Sequence, residues 1–316
     1  MQSFHRSLNE EQVLDWAPAM IVRVAILDMN NGARNIGIRN IRRIVDHFHH
    51  MVRSHNRQVD VQVDQFHVRD RNEIPDTSYH IYISSGGPGS PLDDDGKPCE
   101  QEYFSLIDNL LDHNTSREDK KFFFGICHSF QMMVKKFDIG DITQREVRKM
   151  GVVPLVKTTA GQTDDMLLGL ADRFYGFDNR DWQVVNPDEK RLEQHGFQIL
   201  SFEGDARNST AAVTGIRFTP EIEAVQFHPE AEKNGILMRF TDPHEKNRII
   251  NQFGQKKYDE LIQSVQNPNK LLKTYRIILP NFLRRSFNRL LGYYELPLLG
   301  PLPLEGFPTL EAPLPN

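Results

Sequence analysis

Short apolar segments alternate with amphipathic helical segments through about the first 140 residues, and each apolar segment ends in a polar or glycine-rich turn. In chain order the pattern predicts strand, helix, strand, strand, helix, strand and helix. Such alternation favours a parallel sheet with helices on both faces. The predicted elements are the strands Met20–Leu27, Val59–Val63, Tyr79–Ser84 and Phe122–Phe124 and the helices around residues 41–52, 100–112 and 128–137.

The turns that follow the predicted strands are the expected position of a functional site. In parallel α/β sheets, ligands bind outside the carboxyl ends of the strands. The residues at those ends include Asp28, the glycine-rich run Gly86–Gly89 and Cys127. We therefore expect an α/β fold with a flavodoxin-like, open and mostly parallel sheet that gathers these residues at one edge.

The composition is typical of a cytoplasmic globular protein. The 316 residues are 39% hydrophobic and 26% charged, with a net charge of -5 at pH 7. A mildly acidic chain is not typical of a nucleic-acid binder, and no uncharged apolar stretch reaches the roughly 18 residues of a spanning helix. No secretory signal is visible, and Cys99 and Cys127 form no disulfide framework. We expect a cytoplasmic location and neither a nucleic-acid nor a membrane partner.

The second half of the chain is richer in strands and ends in a basic segment. Residues 261–294 contain no acid and interleave apolar residues with arginine. This segment either packs on the domain, with arginine stems along its surface, or presents an amphipathic face to a membrane or partner; we favour packing. The predicted strands are Val152–Lys157, Gln183–Val185, Phe197–Ser201, Ala211–Phe218 and Glu223–Phe227, and Asp242–Gln266 is predicted to be helical.

The expected organisation has four parts. They are an N-terminal extension (residues 1–19), one α/β domain (20–240), a helical, basic C-terminal extension (241–295) and a Pro-rich flexible tail (296–316). The tail composition favours an extended or disordered chain.

The segment Phe122–Gln131, FFFGICHSFQ, joins an apolar strand to a helix through Gly125 and Cys127. A sharp strand-to-helix turn exposes its middle residue at the end of the sheet, as in a nucleophile elbow. The start of the helix supplies free N–H groups and partial positive charge, and both favour a thiolate. Cys127 is therefore a candidate nucleophile, and a buried structural cysteine is the alternative.

Two other strand ends carry groups that a cysteine nucleophile requires. In Ala224–Glu230, AVQFHPE, a buried strand ends at His228, which can act as a base oriented by Glu230. The loop Ser84–Pro91, SSGGPGSP, offers backbone N–H groups that can converge on an oxyanion. It lacks the spacing of a phosphate-binding loop. The alternatives are a solvated strand end and a plain glycine turn.

Together these three segments resemble the class I glutamine amidotransferases, the family with a triad-type glutaminase domain such as that of GMP synthase. The family pattern S-G-G-P-x-S, G-x-C-x-G-x-Q and Q-x-H-P-E appears in order at Ser85–Ser90, Gly125–Gln131 and Gln226–Glu230. The resemblance covers about residues 20–240 and implies the family's fold.

The resemblance also implies a site and a reaction. A thiolate would attack the side-chain amide of glutamine and release ammonia, and water would then hydrolyse the γ-glutamyl thioester. The implied site residues are Cys127 as nucleophile, His228 as its base and acid, Glu230 as the group that orients His228, the N–H groups of Gly87 and His128 as oxyanion hole, and Gln131 and Gly86 beside the substrate.

The chain departs from the family pattern in two places. Ser129 stands where the family usually has glycine; either its small side chain preserves the close approach of helix and strand, or the elbow is shifted. The family's Tyr/Ser/His segment, which contacts the amino-acid end of glutamine, has no counterpart. The nearest candidate is Gly176–Val184, in which Arg180 either binds a substrate carboxylate or forms a structural ion pair.

We therefore expect a glutamine amidotransferase or glutaminase that acts on glutamine or a γ-glutamyl substrate and releases ammonia for a separate acceptor or synthetase. The alternatives are a γ-glutamyl hydrolase or acyltransferase with the same triad, or a catalytically silent scaffold. We expect no cofactor. We expect no metal, because no set of acidic or cysteine residues converges in the sequence on His47, His49 and His50, which fit a solvated face of the first helix.

Overall fold

A computed structural model describes residues 20–33, 36–204 and 211–301, so the predicted N-terminal extension and residues 302–316 of the predicted tail lie outside the described residues. The strands are β1 (Met20–Asp28), β2 (Val59–His67), β3 (Ile81–Ser84), β4 (Phe122–Ile126), β5 (Asp141–Lys157), β6 (Arg173–Val185), β7 (Gln198–Glu203), β8 (Val213–Arg217) and β9 (Ile222–Val225). The helices are α1 (Ile36–His55), α2 (Val68–Arg71), α3 (Pro98–Ser116), α4 (His128–Phe137), α5 (Thr159–Thr163), α6 (Glu189–His195), α7 (Lys233–Thr241), α8 (Pro243–Phe253), α9 (Gln255–Gln266) and α10 (Pro268–Tyr293), with one 3-10 turn at Asp165–Leu167.

The described strands form one nine-stranded sheet in the order β2-β1-β3-β4-β9-β8-β7-β5-β6. Its first five strands pair in parallel. This is the 2-1-3-4-5 order of flavodoxin-like folds, with β9 as the fifth strand. The predicted flavodoxin-like α/β class with an open, mostly parallel sheet is confirmed.

Between β4 and β9 the chain builds an antiparallel addition to the sheet. β8 pairs antiparallel with β9 and β7, and β5 pairs antiparallel with β7 and β6. Within the described sheet, only β5 and β8 therefore run against the other strands. The long β5–β6 hairpin carries the pairing Phe177↔His228, which brings this addition beside the end of β9.

Helices cover both faces of the parallel strands. Phe123 and Phe124 are fully buried and point to opposite faces, because successive side chains alternate across a strand. One face packs α1 and α10 around residues that include Ile44, Phe48, Phe124, Phe282 and Phe287. The other face packs α3 and α4 around residues that include Tyr103, Leu106, Phe123, Phe130 and Met133.

Helix α10 contains most of the basic segment and packs directly on the sheet. The rings of Phe282 and Phe124 lie 5.1 Å apart, and those of Phe287 and Phe48 lie 5.0 Å apart. Arg285 pairs with Asp165 at 2.6 Å. The buried apolar residues of this helix include Ile277, Ile278, Phe282, Leu283, Phe287, Leu290 and Leu291. The basic segment therefore packs on the domain, as the favoured alternative predicted, and its apolar face is buried in the core.

Within residues 20–33, 36–204 and 211–301, no helix is long and apolar enough to cross a membrane.

Candidate active site

The parallel arrangement of β3, β4 and β9 brings the three predicted motifs together at one edge of the sheet. The three strands are neighbours; β3 and β9 each end just before one motif, and β4 ends within the elbow motif. A Cβ atom at Gly86 would lie 2.7 Å from Cε1 of His228 and 3.3 Å from Cβ of Cys127. The glycine-rich loop, the elbow and the His-Pro-Glu corner therefore meet at Gly86, where a side chain would displace the His228 ring.

Cys127 occupies a strained turn between β4 and α4. Its backbone has φ 52° and ψ -97°, in the region of positive φ that residues with a Cβ avoid. The turn is fixed on both sides, because Cys127 N–H donates to the Val225 carbonyl at 2.8 Å and the Cys127 carbonyl accepts from the N–H of Gln131 at 3.1 Å. The Cys127 side chain is largely buried and starts the helix, as in a nucleophile elbow.

His228 is held in place through both its ring and its backbone. Its Nδ1 lies 2.8 Å from Oε1 of the buried Glu230, and its backbone N–H donates to the Phe177 carbonyl at 2.8 Å. Burial alone would lower the pKa of His228, but the charges of Glu230 and Cys127 and their hydrogen bonds outweigh burial and raise the pKa well above its ordinary value. The ring is therefore a stable imidazolium when Cys127 is a thiolate.

Gln226 is a site residue whose contacts the sequence did not predict. Its Nε2 lies 3.7 Å from Sγ of Cys127 and 3.4 Å from the Cys127 carbonyl, while its Oε1 accepts from Nε2 of Gln131 at 3.0 Å. Gln226 is fully buried. The signal was present, since Gln226 lies two positions before His228 and so faces the same side of the extended chain.

The predicted oxyanion donors are free to bind a ligand. Among the described residues, neither the Gly87 N–H nor the His128 N–H donates to a protein acceptor. A Cβ at Gly87 would lie 2.1 Å from the Met29 carbonyl oxygen, so only glycine fits there. Burial, together with the nearby charges of Arg69 and Lys135, lowers the pKa of the His128 ring to about 3, so this ring is neutral near pH 7.

Ser129 fits into the elbow by forming hydrogen bonds. Its hydroxyl donates to the Ser85 carbonyl at 2.7 Å and lies 2.7 Å from the hydroxyl of Ser84, which also accepts from the Tyr103 hydroxyl at 3.1 Å. Ser129 is fully buried. The close approach of the elbow to β9 is preserved by Gly125, where a Cβ would lie 3.1 Å from that of Ala224.

Arg180 is occupied by protein acceptors. Its Nε donates to Asp178 at 2.7 Å, Nη1 to the Trp182 carbonyl at 3.0 Å, and Nη2 to Glu203 at 2.5 Å. The side chain is buried. These contacts are the structural ion pair that the sequence left open as the alternative to a carboxylate-binding role.

A cavity of about 90 Å³ opens beside the His228–Glu230 pair. Its lining residues include Asn40, Phe177, Asn179, Glu232 and Arg239. Within the part of the chain that the structure describes, no three His, Cys, Asp or Glu side chains are grouped so that they could hold a metal ion. The arrangement at this edge supplies a thiol, a base with an orienting carboxylate and free N–H donors, which are the groups that acyl transfer through cysteine requires.

Comparisons with known proteins agree with this geometry. The family model "Glutamine amidotransferase class-I" matches residues 43–236, which include all three motifs. No curated protein matches the chain in sequence.

Two solved structures are similar in fold. A glutamine amidotransferase from Thermotoga maritima is 16% identical with a TM-score of 0.57, over 84% of this chain and 97% of that one. A glutamine amido transferase from Methylobacillus flagellatus is 16% identical with a TM-score of 0.53, over 89% of this chain and 98% of that one.

The hydrogen bonds of Ser129 predict a specific cost of removing its hydroxyl. Ser129→Ala leaves the buried Ser85 carbonyl without this donor, so we expect the free energy of unfolding to fall by about 1–3 kcal/mol. Denaturant titration measures the change. Ser105→Ala is the matched control, because its exposed hydroxyl donates to the Gln101 carbonyl at 2.8 Å on the surface of α3; we expect a change within about 0.5 kcal/mol. Equal losses in both variants would contradict the structural role of Ser129.

Proposed function

The chain belongs to the glutamine amidotransferase class-I family, and on that premise we propose that it hydrolyses the side-chain amide of glutamine with Cys127, His228 and Glu230. The observation that carries the proposal is the 2.8 Å hydrogen bond between His228 and Glu230 beside a strained, buried Cys127. A silent scaffold has no need to keep this arrangement and the strain of the elbow.

In the first step, Sγ of the Cys127 thiolate attacks the amide carbon and forms a tetrahedral intermediate. The N–H groups of Gly87 and His128 stabilise its oxyanion; removing one such donor typically raises the barrier by about 2.7–4 kcal/mol. The C–N bond then breaks, and the His228 imidazolium gives its proton to the departing ammonia. A γ-glutamyl thioester on Cys127 remains.

In the second step, neutral His228 takes a proton from water, whose oxygen attacks the thioester carbon. The C–S bond breaks, glutamate leaves and the thiolate–imidazolium pair is restored. Glu230 keeps Nδ1 of His228 occupied, so the other ring nitrogen serves the reaction. Two residues form the walls beside the substrate. Gln131 is held by its hydrogen bond to Gln226, and Gly86 lies beside the His228 ring.

We propose that the released ammonia passes to a separate acceptor or synthetase, as the resemblance to the amidotransferase family implies. The reaction needs Cys127 as a free thiol, and both cysteines are free. A reducing cytoplasm is the compartment that suits this chemistry.

A second candidate is hydrolysis of a γ-glutamyl amide other than free glutamine. The observation behind it is that Cys127, His228 and Glu230 would act on the amide bond, which glutamine and γ-glutamyl amides share, whereas Arg180 is committed to Asp178 and Glu203 and selects neither substrate. Assays with free glutamine and with γ-glutamyl peptides separate the two candidates.

Ammonia release from glutamine tests the proposal directly. We expect turnover by the unmodified protein, a loss of roughly 10⁴-fold or more in Cys127→Ala and little change in Cys99→Ala, whose thiol lies in α3. A coupled ammonia assay measures turnover of glutamine, glutamate release measures turnover of γ-glutamyl peptides, and melting curves show that each variant is folded. Activity on γ-glutamyl peptides but not on glutamine would favour the second candidate, and no activity from a folded protein on either substrate would contradict catalysis.

The raised pKa of His228 predicts how Glu230 shapes the pH profile. His228 serves as acid while it is protonated, and this ability is lost as pH rises through its raised pKa. Glu230→Gln removes the carboxylate charge that raises this pKa, so the alkaline limb of kcat/KM should move to lower pH, with kcat reduced by about 10²–10⁴-fold.

The matched control is Glu232→Gln, because Glu232 caps α7 through the N–H groups of Asn234 and Gly235 and is two residues from Glu230. Its alkaline limb should coincide with that of the unmodified protein. An unchanged limb in Glu230→Gln, or a shift of the same size in the control, would contradict the assigned role of Glu230.

A further inference from the structure

Arg69 reaches from the short helix α2 to the back of the glycine-rich loop. Its Nη1 donates to the Pro88 carbonyl at 2.7 Å and to the Met29 carbonyl at 3.2 Å, and its Nε donates to Asp94 at 2.5 Å. The side chain is only 4% exposed. One guanidinium therefore connects Met29 in the turn after β1, Pro88 in the loop after β3, and Asp94.

The same turn after β1 also fixes the peptide that carries the Gly87 N–H. The Ser85 hydroxyl accepts from the N–H of Met29 at 3.0 Å and donates to the Gly86 carbonyl at 2.9 Å. In a trans peptide the carbonyl and the following N–H point in opposite directions. Holding the Gly86 carbonyl at Ser85 therefore directs the Gly87 N–H away from Ser85.

Arg69 holds the chain just beyond Gly87, through the Pro88 carbonyl. A Cβ at Gly87 would lie 2.1 Å from the Met29 carbonyl oxygen and 3.2 Å from Nη1 of Arg69. Gly87 therefore packs against the Met29 carbonyl and the guanidinium. The Gly86 carbonyl before it is held by Ser85, and the Pro88 carbonyl after it is held by Arg69.

We propose that Arg69 is a positioning residue for the oxyanion hole, which acts by fixing Gly87 through the Pro88 and Met29 carbonyls. This inference rests on the proposed function of Gly87 as an oxyanion donor. Catalytic donors must be placed closely, since an error of about 1 Å can cost roughly 10²-fold in rate. Arginine suits the role because its planar guanidinium binds several acceptors at fixed angles, whereas lysine is a point donor on a flexible stem.

The variant Arg69→Met separates positioning from general damage. We expect kcat for glutamine to fall by roughly 10²-fold while KM changes by less than about threefold. Alkylation of Cys127 by iodoacetamide forms no oxyanion, so its rate should stay within about twofold of the unmodified rate. A fall in kcat and alkylation together would overturn the inference, because it would show damage to the whole site.

The matched control is Arg71→Met in the same helix, because the Arg71 side chain is 60% exposed. We expect its kcat, KM and alkylation rate to equal those of the unmodified protein. Asp94→Asn serves as a milder second variant: it keeps an oxygen acceptor for Nε of Arg69 but removes the charge, so kcat should fall in the same direction by a smaller factor.

Hydrogen–deuterium exchange of the peptide spanning residues 84–94 keeps the inference separate from the proposed function. We expect faster exchange in this peptide in Arg69→Met than in the unmodified protein or Arg71→Met. Absence of ammonia release by the unmodified protein would refute the proposed function, while the exchange comparison would still decide whether Arg69 holds the loop. Unchanged exchange in Arg69→Met would overturn the inference.

Discussion

The hydrogen bond from Cys127 N–H to the Val225 carbonyl ties the elbow to the neighbouring strand, and the rest of the site depends on this tie. Residues with a Cβ persist at positive φ only where the surrounding structure holds them. Here the parallel pairing of β4 with β9 provides that hold and also places His228 beside the elbow, because β9 ends three residues before it. One piece of backbone geometry thus connects the strain at Cys127, the position of its partner His228 and the start of α4.

Electrostatics then determine what the geometry can do. His228 is buried, which by itself favours the neutral ring, yet Glu230 and the Cys127 thiolate favour the charged ring more strongly. In the proposed mechanism the His228 imidazolium would stabilise a thiolate at Cys127, and Glu230 would stabilise the imidazolium. His128 shows the opposite outcome, since burial without an acidic partner in contact leaves its ring neutral. The two histidines next to Cys127 are thus distinguished by the presence of Glu230.

The parallel core and the convergence of Cys127, His228 and Glu230 at one edge of the sheet were predictable from the sequence, because buried strands follow local patterns and the motifs follow those strands. Apolar runs such as Phe122–Phe124 set the buried strands, and the residues that follow such runs must lie at one edge of the sheet. The β5–β6 hairpin was largely missed: Asp141–Met150 is mostly charged and polar, and its strand character comes from pairing with β6. Arg69 and Ser129 were beyond local patterns as well, since their roles come from carbonyl groups that only the folded chain brings within reach. The ion pair of Arg180 with Glu203 was equally beyond local patterns, because Glu203 lies 23 residues away in the sequence.

The proposed reaction requires that Cys127 be the nucleophile of a site shaped for glutamine. Intact-mass analysis after treatment with a diazo-ketone analogue of glutamine tests it most directly, because the analogue alkylates a nucleophile only where it is bound as the substrate would be. We expect one adduct on the unmodified protein and on Cys99→Ala, and none on Cys127→Ala. A folded protein that forms no adduct, or an adduct that persists in Cys127→Ala, would contradict it.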